Sequence, residues 1–257
     1  MLDFDNRLPT IALEALEAGK HVLIEKPIAT SVADAERIFT TARAAGLFAM
    51  EAMWMRFNPL YVEMIDRIGD GLLGDVNSVR ASFGTPFQAR GRTLTPAQGG
   101  SILLDRGIYP ITLAQWFLGD PTRVAAAGRF MDGTDVDGHA TLEFDGGFAQ
   151  LAWSGVEFLD LSATVSGERG WVTFAPMFWA GSMARVHAGS VERIFSTPEL
   201  VEHPRQGNGY RPMLDAVDRA LDDGLIEHPW HTHDQTLRTM RTMDAVLTRM
   251  SPASAAL

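Results

Sequence analysis

The stretch Gly19-Lys20-His21-Val22-Leu23-Ile24-Glu25-Lys26-Pro27 constrains the fold more than any other part of this sequence. Val22-Leu23-Ile24 is a short apolar, partly β-branched run bounded by Gly19 and Pro27, which is the pattern of a buried parallel strand. Before it, Leu8, Ile11, Ala12, Ala15 and Leu16 recur with a helical period, and Gly19 is a natural stop. After it, Ser31 reads as an N-cap with Asp34 three residues on, ahead of a helix through Ile38, Phe39, Ala42 and Ala45 that ends at Gly46. A second strand is expected at 47–50. Strand, helix, strand is a parallel βαβ unit, and the loops leaving the carboxyl ends of such strands line a ligand crevice. Lys26 sits at that end. Pro27 holds it out of the helical region and makes Lys26-Pro27 a candidate cis bond. Local sequence alone also fits an ordinary solvated strand-end lysine.

Composition narrows the function classes. At 257 residues, 46% hydrophobic and 21% charged, the chain has material for one or two cores. It carries no cysteine, so a disulfide framework, a thiolate nucleophile and a cysteine-bound metal are excluded. A net charge of -10 and a pI near 5.1 argue against a nucleic-acid partner. No apolar run approaches the ~20 residues that span a bilayer, and Met1-Leu2-Asp3-Phe4-Asp5 lacks a signal-peptide pattern, so the expected compartment is the cytoplasm.

Further along, Glu51-Ala52-Met53-Trp54-Met55-Arg56-Phe57-Asn58-Pro59 precedes a helix carrying Leu60, Met64, Ile65 and Ile68. Read alone, Trp54 is core and Arg56 a surface partner for Glu51. The run 76–83 alternates, with Val79, Ala81 and Phe83 on one face, and 85–98 reads as a loop. In Gly99-Gly100-Ser101-Ile102-Leu103-Leu104-Asp105-Arg106-Gly107-Ile108-Tyr109-Pro110, a helix would place Asp105 and Tyr109 at i and i+4 on one face, with Pro110 kinking it. Their plain reading is a cap and an amphipathic packing residue. Strands follow at 124–131, 139–144, 148–154, 161–166 and 170–174, with Asp145-Gly146-Gly147 as a hairpin turn, so a largely antiparallel sheet is expected. His228, His231 and His233 read as loop residues around Pro229 rather than a metal site. Leu237, Met240, Met243, Leu247 and Met250 form the core stripe of a last helix.

Three of these stretches, and a fourth that follows the last of the strands, carry a resemblance. Glu25-Lys26-Pro27 resembles the Glu-Lys-Pro signature of the glucose-fructose oxidoreductase / inositol dehydrogenase / MocA (Gfo/Idh/MocA) family. Residues 51–59 are similar to the Glu-Ala-x-Trp-x-Arg-Phe-x-Pro run of its dihydrodiol dehydrogenase-like branch. Residues 99–109 resemble Gly-Gly-x-Leu-x-Asp-x-Gly followed by His or Tyr, and Pro176-Met177-Phe178-Trp179 resembles a Pro-x-x-Phe-Trp segment.

The resemblance implies an α/β chain: an incomplete Rossmann-like parallel domain over 1–75, then an α+β domain over 76–257 with a large, mainly antiparallel sheet. It implies NAD(P)-dependent oxidation of an alcohol carbon, or the reverse, on a sugar, cyclitol or cyclic diol, with NADP or NAD as cofactor. Lys26, Asp105 and Tyr109 would be catalytic. Asn6, Glu25, Lys26, Pro27, Trp54 and Arg56 would face the cofactor, and Trp54, Phe83, Asp105, Tyr109 and Trp179 the substrate. A hydroxyl losing hydride needs a base, and Lys26 either depresses the Tyr109 phenol, normally near 10, or carries the proton itself. A homodimer or higher homo-oligomer through the sheet is expected.

One departure stands out. Gly19 is the sole glycine before Lys26, so no Gly-x-Gly-x-x-Gly turn precedes it. The expectation is that on the order of 70 residues of a two-domain relative are absent. The competing reading is therefore a non-catalytic remnant that keeps the substrate side as a binding or dimerisation module.

Overall fold

The computed structural model describes residues 7–86 and 100–250. Asn6 and most of the 85–98 loop lie outside the described residues. Helix α1 (Leu8–Glu17) leads through Gly19, at φ +73, into strand β1 (Val22–Ile24), helix α2 (Val32–Ala45) and strand β2 (Ala49–Glu51). Ser31 caps α2 by accepting the Asp34 N–H, and Ala35, Ile38, Phe39 and Ala42 bury one face of it. β1 and β2 pair in parallel, Val22 opposite Ala49. Among the described residues β1 pairs only with β2, so Leu23 is 36% exposed and only Ile24 is buried. That departs from the fully buried strand the apolar run predicts: a strand is shielded on its open side only by what pairs there.

A short 3-10 turn (Trp54–Phe57) precedes α3 (Pro59–Gly69), which Asn58 caps. The chain then enters an eight-stranded sheet through β3 (Val76–Gly84). A π-helical turn (Leu103–Gly107) runs into α4 (Ile108–Leu118), followed by β4 (Arg123–Met131), β5 (Thr134–Phe144), β6 (Gly147–Ser154), β7 (Ala163–Gly167), β8 (Gly170–Phe174), β9 (Met183–Ala188), a one-turn helix α5 (Val191–Ile194) and β10 (Glu199–Glu202). The sheet order is β10-β9-β8-β7-β3-β6-β5-β4, antiparallel throughout except for the β3–β6 pair. Helix α6 (Arg211–Asp222) and helix α7 (His233–Met250) close the described chain.

β5 begins five residues before the expected start. Its first half, Thr134-Asp135-Val136-Asp137-Gly138, reads as a turn, but Asp135 accepts the Leu103 N–H at 2.7 Å and Asp137 pairs with Arg129, so these acids are satisfied within the strand. β9 and β10 were not expected. All three histidines are buried; His228 and His231 flank the Pro229-Trp230 turn as the expected loop residues, bridged to each other, whereas His233 starts α7. Its ring stacks on Phe39 at 4.1 Å and donates from Nε2 to the Ala49 carbonyl at 2.9 Å. Residues near 226–246 thus pack back on α2 and β2, within the expected first domain.

Candidate active site

Lys26 leaves the carboxyl end of β1 as expected, and its bond to Pro27 is cis. It is 6% exposed. Its ammonium donates to the Asp105 carbonyl at 2.7 Å and to Asp105 Oδ1 at 2.9 Å, and lies 5.0 Å from the centre of the Tyr109 ring. A residue of the parallel layer and two residues of the later helix therefore meet at one point.

The helix segment reaches that point through its π turn. The Ile108 N–H donates back to the Leu103 carbonyl, five residues earlier. This widened turn immediately precedes Pro110, which has no N–H to complete an ordinary turn, so the irregularity falls where the proline ends regular bonding. Asp135 fixes the turn's start through the Leu103 N–H, and Ser101 accepts the Leu104 N–H at 3.1 Å. Burial pushes the Asp135 carboxyl upward, against the hydrogen bonds from Ser101 and the Leu103 backbone. Arg106 is 5% exposed and holds the far side by donating to the Ser154 carbonyl at 2.6 Å and to the Thr85 carbonyl.

Aromatic rings wall the cluster. Trp54 donates its indole N–H to the Tyr109 hydroxyl at 3.0 Å. Tyr210 packs on Trp54 at 5.3 Å, and Gly209, at φ +95, admits the indole: a Cβ there would come within 3.0 Å of it. Trp179 stacks on Phe83 at 3.5 Å, and both rings lie about 6 Å from Tyr109, at 6.4 Å and 5.8 Å.

Burial lifts Tyr109 to about 12, although Lys26 and the Trp54 N–H both pull it down. The expected depression of the phenol by Lys26 is thus present but outweighed: an ionised phenolate gains less from one ammonium than it loses with its water. For Lys26, burial pulls downward, and the neighbouring Tyr109 and Asp105 hold it above its ordinary value. At neutral pH the cluster therefore holds a proton on both Lys26 and Tyr109. The Tyr109 oxygen accepts from Trp54, while no acceptor for its own proton is found among the described residues.

The structure thus brings Lys26, Pro27, Trp54, Phe83, Asp105, Tyr109 and Trp179 together. Glu25 lies beside them, its carboxyl raised by burial against the pull of Lys26. Arg56 points elsewhere, onto Trp116 and Trp230. Sequence reasoning missed Tyr210 and the anchors Asp135 and Arg106. A groove of about 710 Å³ runs along the open edge of β1 to Glu25, lined by Ala12, Val22, Ile24, Ala52 and Tyr210 among others.

Residues 9–53 match the profile of an oxidoreductase family with an NAD-binding Rossmann fold, and residues 61–173 that of the GFO/IDH/MocA C-terminal domain. The chain is 33% identical over 250 residues to dTDP-3,4-didehydro-2,6-dideoxy-alpha-D-glucose 3-reductase of Actinomadura kijaniata, covering 91% of this chain and 70% of that protein. It is 31% identical over 225 residues to trans-1,2-dihydrobenzene-1,2-diol dehydrogenase of Xenopus laevis, covering 85% and 68%. Among solved structures, aldose-aldose oxidoreductase from Caulobacter crescentus, complexed with glycerol, superposes with a TM-score of 0.85 at 26% identity, covering 96% of this chain and 75% of the other. A 3-ketoreductase from Actinomadura kijaniata, in complex with NADP and TDP-benzene, gives 0.83 at 28%, covering 97% and 77%.

Proposed function

Because this chain belongs to the Gfo/Idh/MocA oxidoreductase family, we propose that Lys26, Asp105 and Tyr109 carry nicotinamide-dependent interconversion of a carbonyl and a hydroxyl on a sugar or cyclic diol. Tyr109 acts as the proton donor in the reducing direction. The observation that carries this reading is the state of Tyr109: its oxygen is engaged by Trp54, its proton is unspent, and Lys26 stands beside it.

The groove beside β1 supports a cofactor on this side of the cluster. Its volume falls within the range of cofactor and small-molecule sites, and apolar Ile24, Ala52 and Tyr210 offer flat walls for a nicotinamide near Lys26 and Glu25. When bound, the reduced ring supplies a hydride to the substrate's carbonyl carbon. Tyr109 gives its proton to the carbonyl oxygen, and the Lys26 ammonium stabilises the negative charge that develops there and on the phenol. Asp105 fixes Lys26 with two bonds, so the ammonium needs no reorientation during reaction. In the oxidising direction the same groups take the hydroxyl proton back. Phe83 and Trp179 provide a stacked apolar wall suited to the face of a ring substrate.

The reading extends to organisation. Residues 1–75 carry the cofactor side, completed by Tyr210 of the later segment, and 76–257 the substrate side, to which the first segment lends Trp54. A homo-oligomer forms through the sheet face that carries the exposed Arg80, His139 and Gln150. The test is titration calorimetry of the chain with NADP⁺ and NAD⁺, followed by initial rates on cyclic diols and sugars. Turnover that depends on Lys26 and Tyr109 supports the proposal. Saturable diol or sugar binding without turnover on either dinucleotide would favour a binding module instead.

A further inference from the structure

The 3-10 turn sends its two most chemically distinctive side chains in different directions. Trp54 meets Tyr109 near the N-terminal end of α4. Arg56 meets Trp116, two turns further along the same helix. Between the 3-10 turn, α3, α4 and α7 lies a second cavity of about 210 Å³, lined by Arg56, Thr112, Trp116, His231, Gln235 and Arg238 among others. It is separate from the catalytic cluster and too small for a dinucleotide.

The guanidinium of Arg56 lies 5.6 Å from the ring centre of Trp116 and 5.6 Å from that of Trp230. Two indoles thus hold its position through the ring quadrupoles. Its N–H groups have no hydrogen-bonded carboxylate or carbonyl among the described residues. Burial pulls the Arg56 charge down and only Asp66, acting at a distance, supports it. A guanidinium stays protonated at any working pH, so it cannot relieve this by losing its proton.

The other polar groups around the cavity are largely committed. Arg238 pairs with Asp234 at 2.6 Å and with Asp120 at 3.5 Å, and Asp120, which also lines the cavity, faces that arginine. Gln115 accepts from Thr239 and donates to Thr242, and the Gln235 side-chain carbonyl accepts the Thr232 N–H. Two polar atoms of lining residues, Thr112 Oγ1 and His231 Nδ1, are buried with no partner among the described residues. Counting Arg56 and Arg238 against Asp120, the lining carries a net positive charge. Asp120, the carboxylate of the lining, faces Arg238 and does not pair with Arg56, so the fork of Arg56 is left without a two-oxygen acceptor among the described residues.

We propose that this cavity binds a small oxyanion, a carboxylate or phosphate group on a molecule of a few heavy atoms, with Arg56 as its principal ligand and Arg238 supporting it at the rim. Carboxylate and phosphate present the same paired oxygens to a guanidinium, and the experiment separates them. The 257-residue chain is titrated calorimetrically with inorganic phosphate and, separately, with malonate, each against chloride at matched ionic strength, while indole fluorescence is followed. Saturable heat with one or both is expected, accompanied by a fluorescence change because Trp116 and Trp230 flank the guanidinium.

Arg56→Met should weaken this binding by roughly tenfold or more, the worth of a charged hydrogen bond. Arg238→Gln should weaken it less, and Tyr109→Phe should leave it unchanged. If Arg56→Met does not fold, Arg56→Lys, which keeps the charge and loses the fork, decides together with Arg238→Gln. No saturable heat with either anion overturns the proposal, as does undiminished affinity in the Arg56 and Arg238 variants.

Discussion

Tyr109→Phe tests the proposed chemistry most directly because it removes one oxygen from a ring held on all sides. The ring remains packed against Phe83, Trp179 and Trp54, so the substrate wall is preserved. What is lost is the proton donor, and general acids of this kind are worth about 10²- to 10⁴-fold, or roughly 3–5 kcal/mol in the barrier. The Trp54 indole N–H also loses its acceptor inside a residue that is only 6% exposed. An orphaned buried donor costs about 1–3 kcal/mol, which for a chain of this size lowers the melting midpoint by several degrees. The assay is steady-state reduction of a ketone substrate at neutral pH, with thermal unfolding on the same samples. The turnover number should fall with little change in KM, the mark of an interaction made in the transition state. Trp54→Phe is the control: it removes the indole N–H and leaves the Tyr109 proton, so it should retain most of the rate. Turnover within threefold of the parent in Tyr109→Phe, or an equal loss in Trp54→Phe, would refute the assignment.

Lys26→Met should abolish measurable turnover. It should also cost about 1–3 kcal/mol of stability in denaturant unfolding, less than for a fully buried pair, because the Asp105 side chain is 22% exposed and Arg106 lies 3.8 Å from it. Adding Asp105→Asn to that variant should recover part of the loss. Both Lys26 and Tyr109 hold their protons more tightly folded than unfolded, Tyr109 titrating at about 12 rather than 10.0. Their contribution to stability should therefore be complete below about pH 10 and fall as pH rises above it, as read from unfolding midpoints. Asp135→Asn, which weakens the bond to the Leu103 N–H, should lower turnover through displacement of Asp105 while leaving affinity for the dinucleotide unchanged.

Much of the fold was legible because its signals are local. The cap at Ser31, the stop at Gly46 and the Asp145-Gly146-Gly147 turn each settle an element boundary within a few residues. The meeting of Lys26 with Asp105 and Tyr109, 79 and more residues apart, was legible only through resemblance, since no period connects a strand end to a distant helix. The direction of Arg56 was not legible at all. In a 3-10 turn successive side chains step by about a third of a turn, so Trp54 and Arg56 diverge, and Arg56 meets Trp116 and Trp230 rather than Glu51, which bonds the Ile28 N–H and His231 instead. The net rise of Tyr109 was missed for another reason: sequence supplies the neighbouring charge but not the loss of water around the phenol.

β3 has a consequence for how the molecule comes together. It is the first strand of the large sheet to leave the ribosome, yet it lies in the interior, with β6 on one side and β7 on the other. The strands on each flank, β4-β5-β6 and β7-β8-β9-β10, are joined to their own neighbours by short antiparallel connections, so each flank can zip locally. β3 must wait unpaired while about seventy residues are made, and only its insertion welds the two flanks into one sheet. Phe83 sits at its far end and Trp179 lies beyond β8, so the stacked wall beside Tyr109 closes only with that weld. The candidate pocket is then expected to be the last part of the sheet side to mature, and refolding of a variant that keeps Trp179 as its sole tryptophan, followed by indole fluorescence, should lag behind backbone circular dichroism.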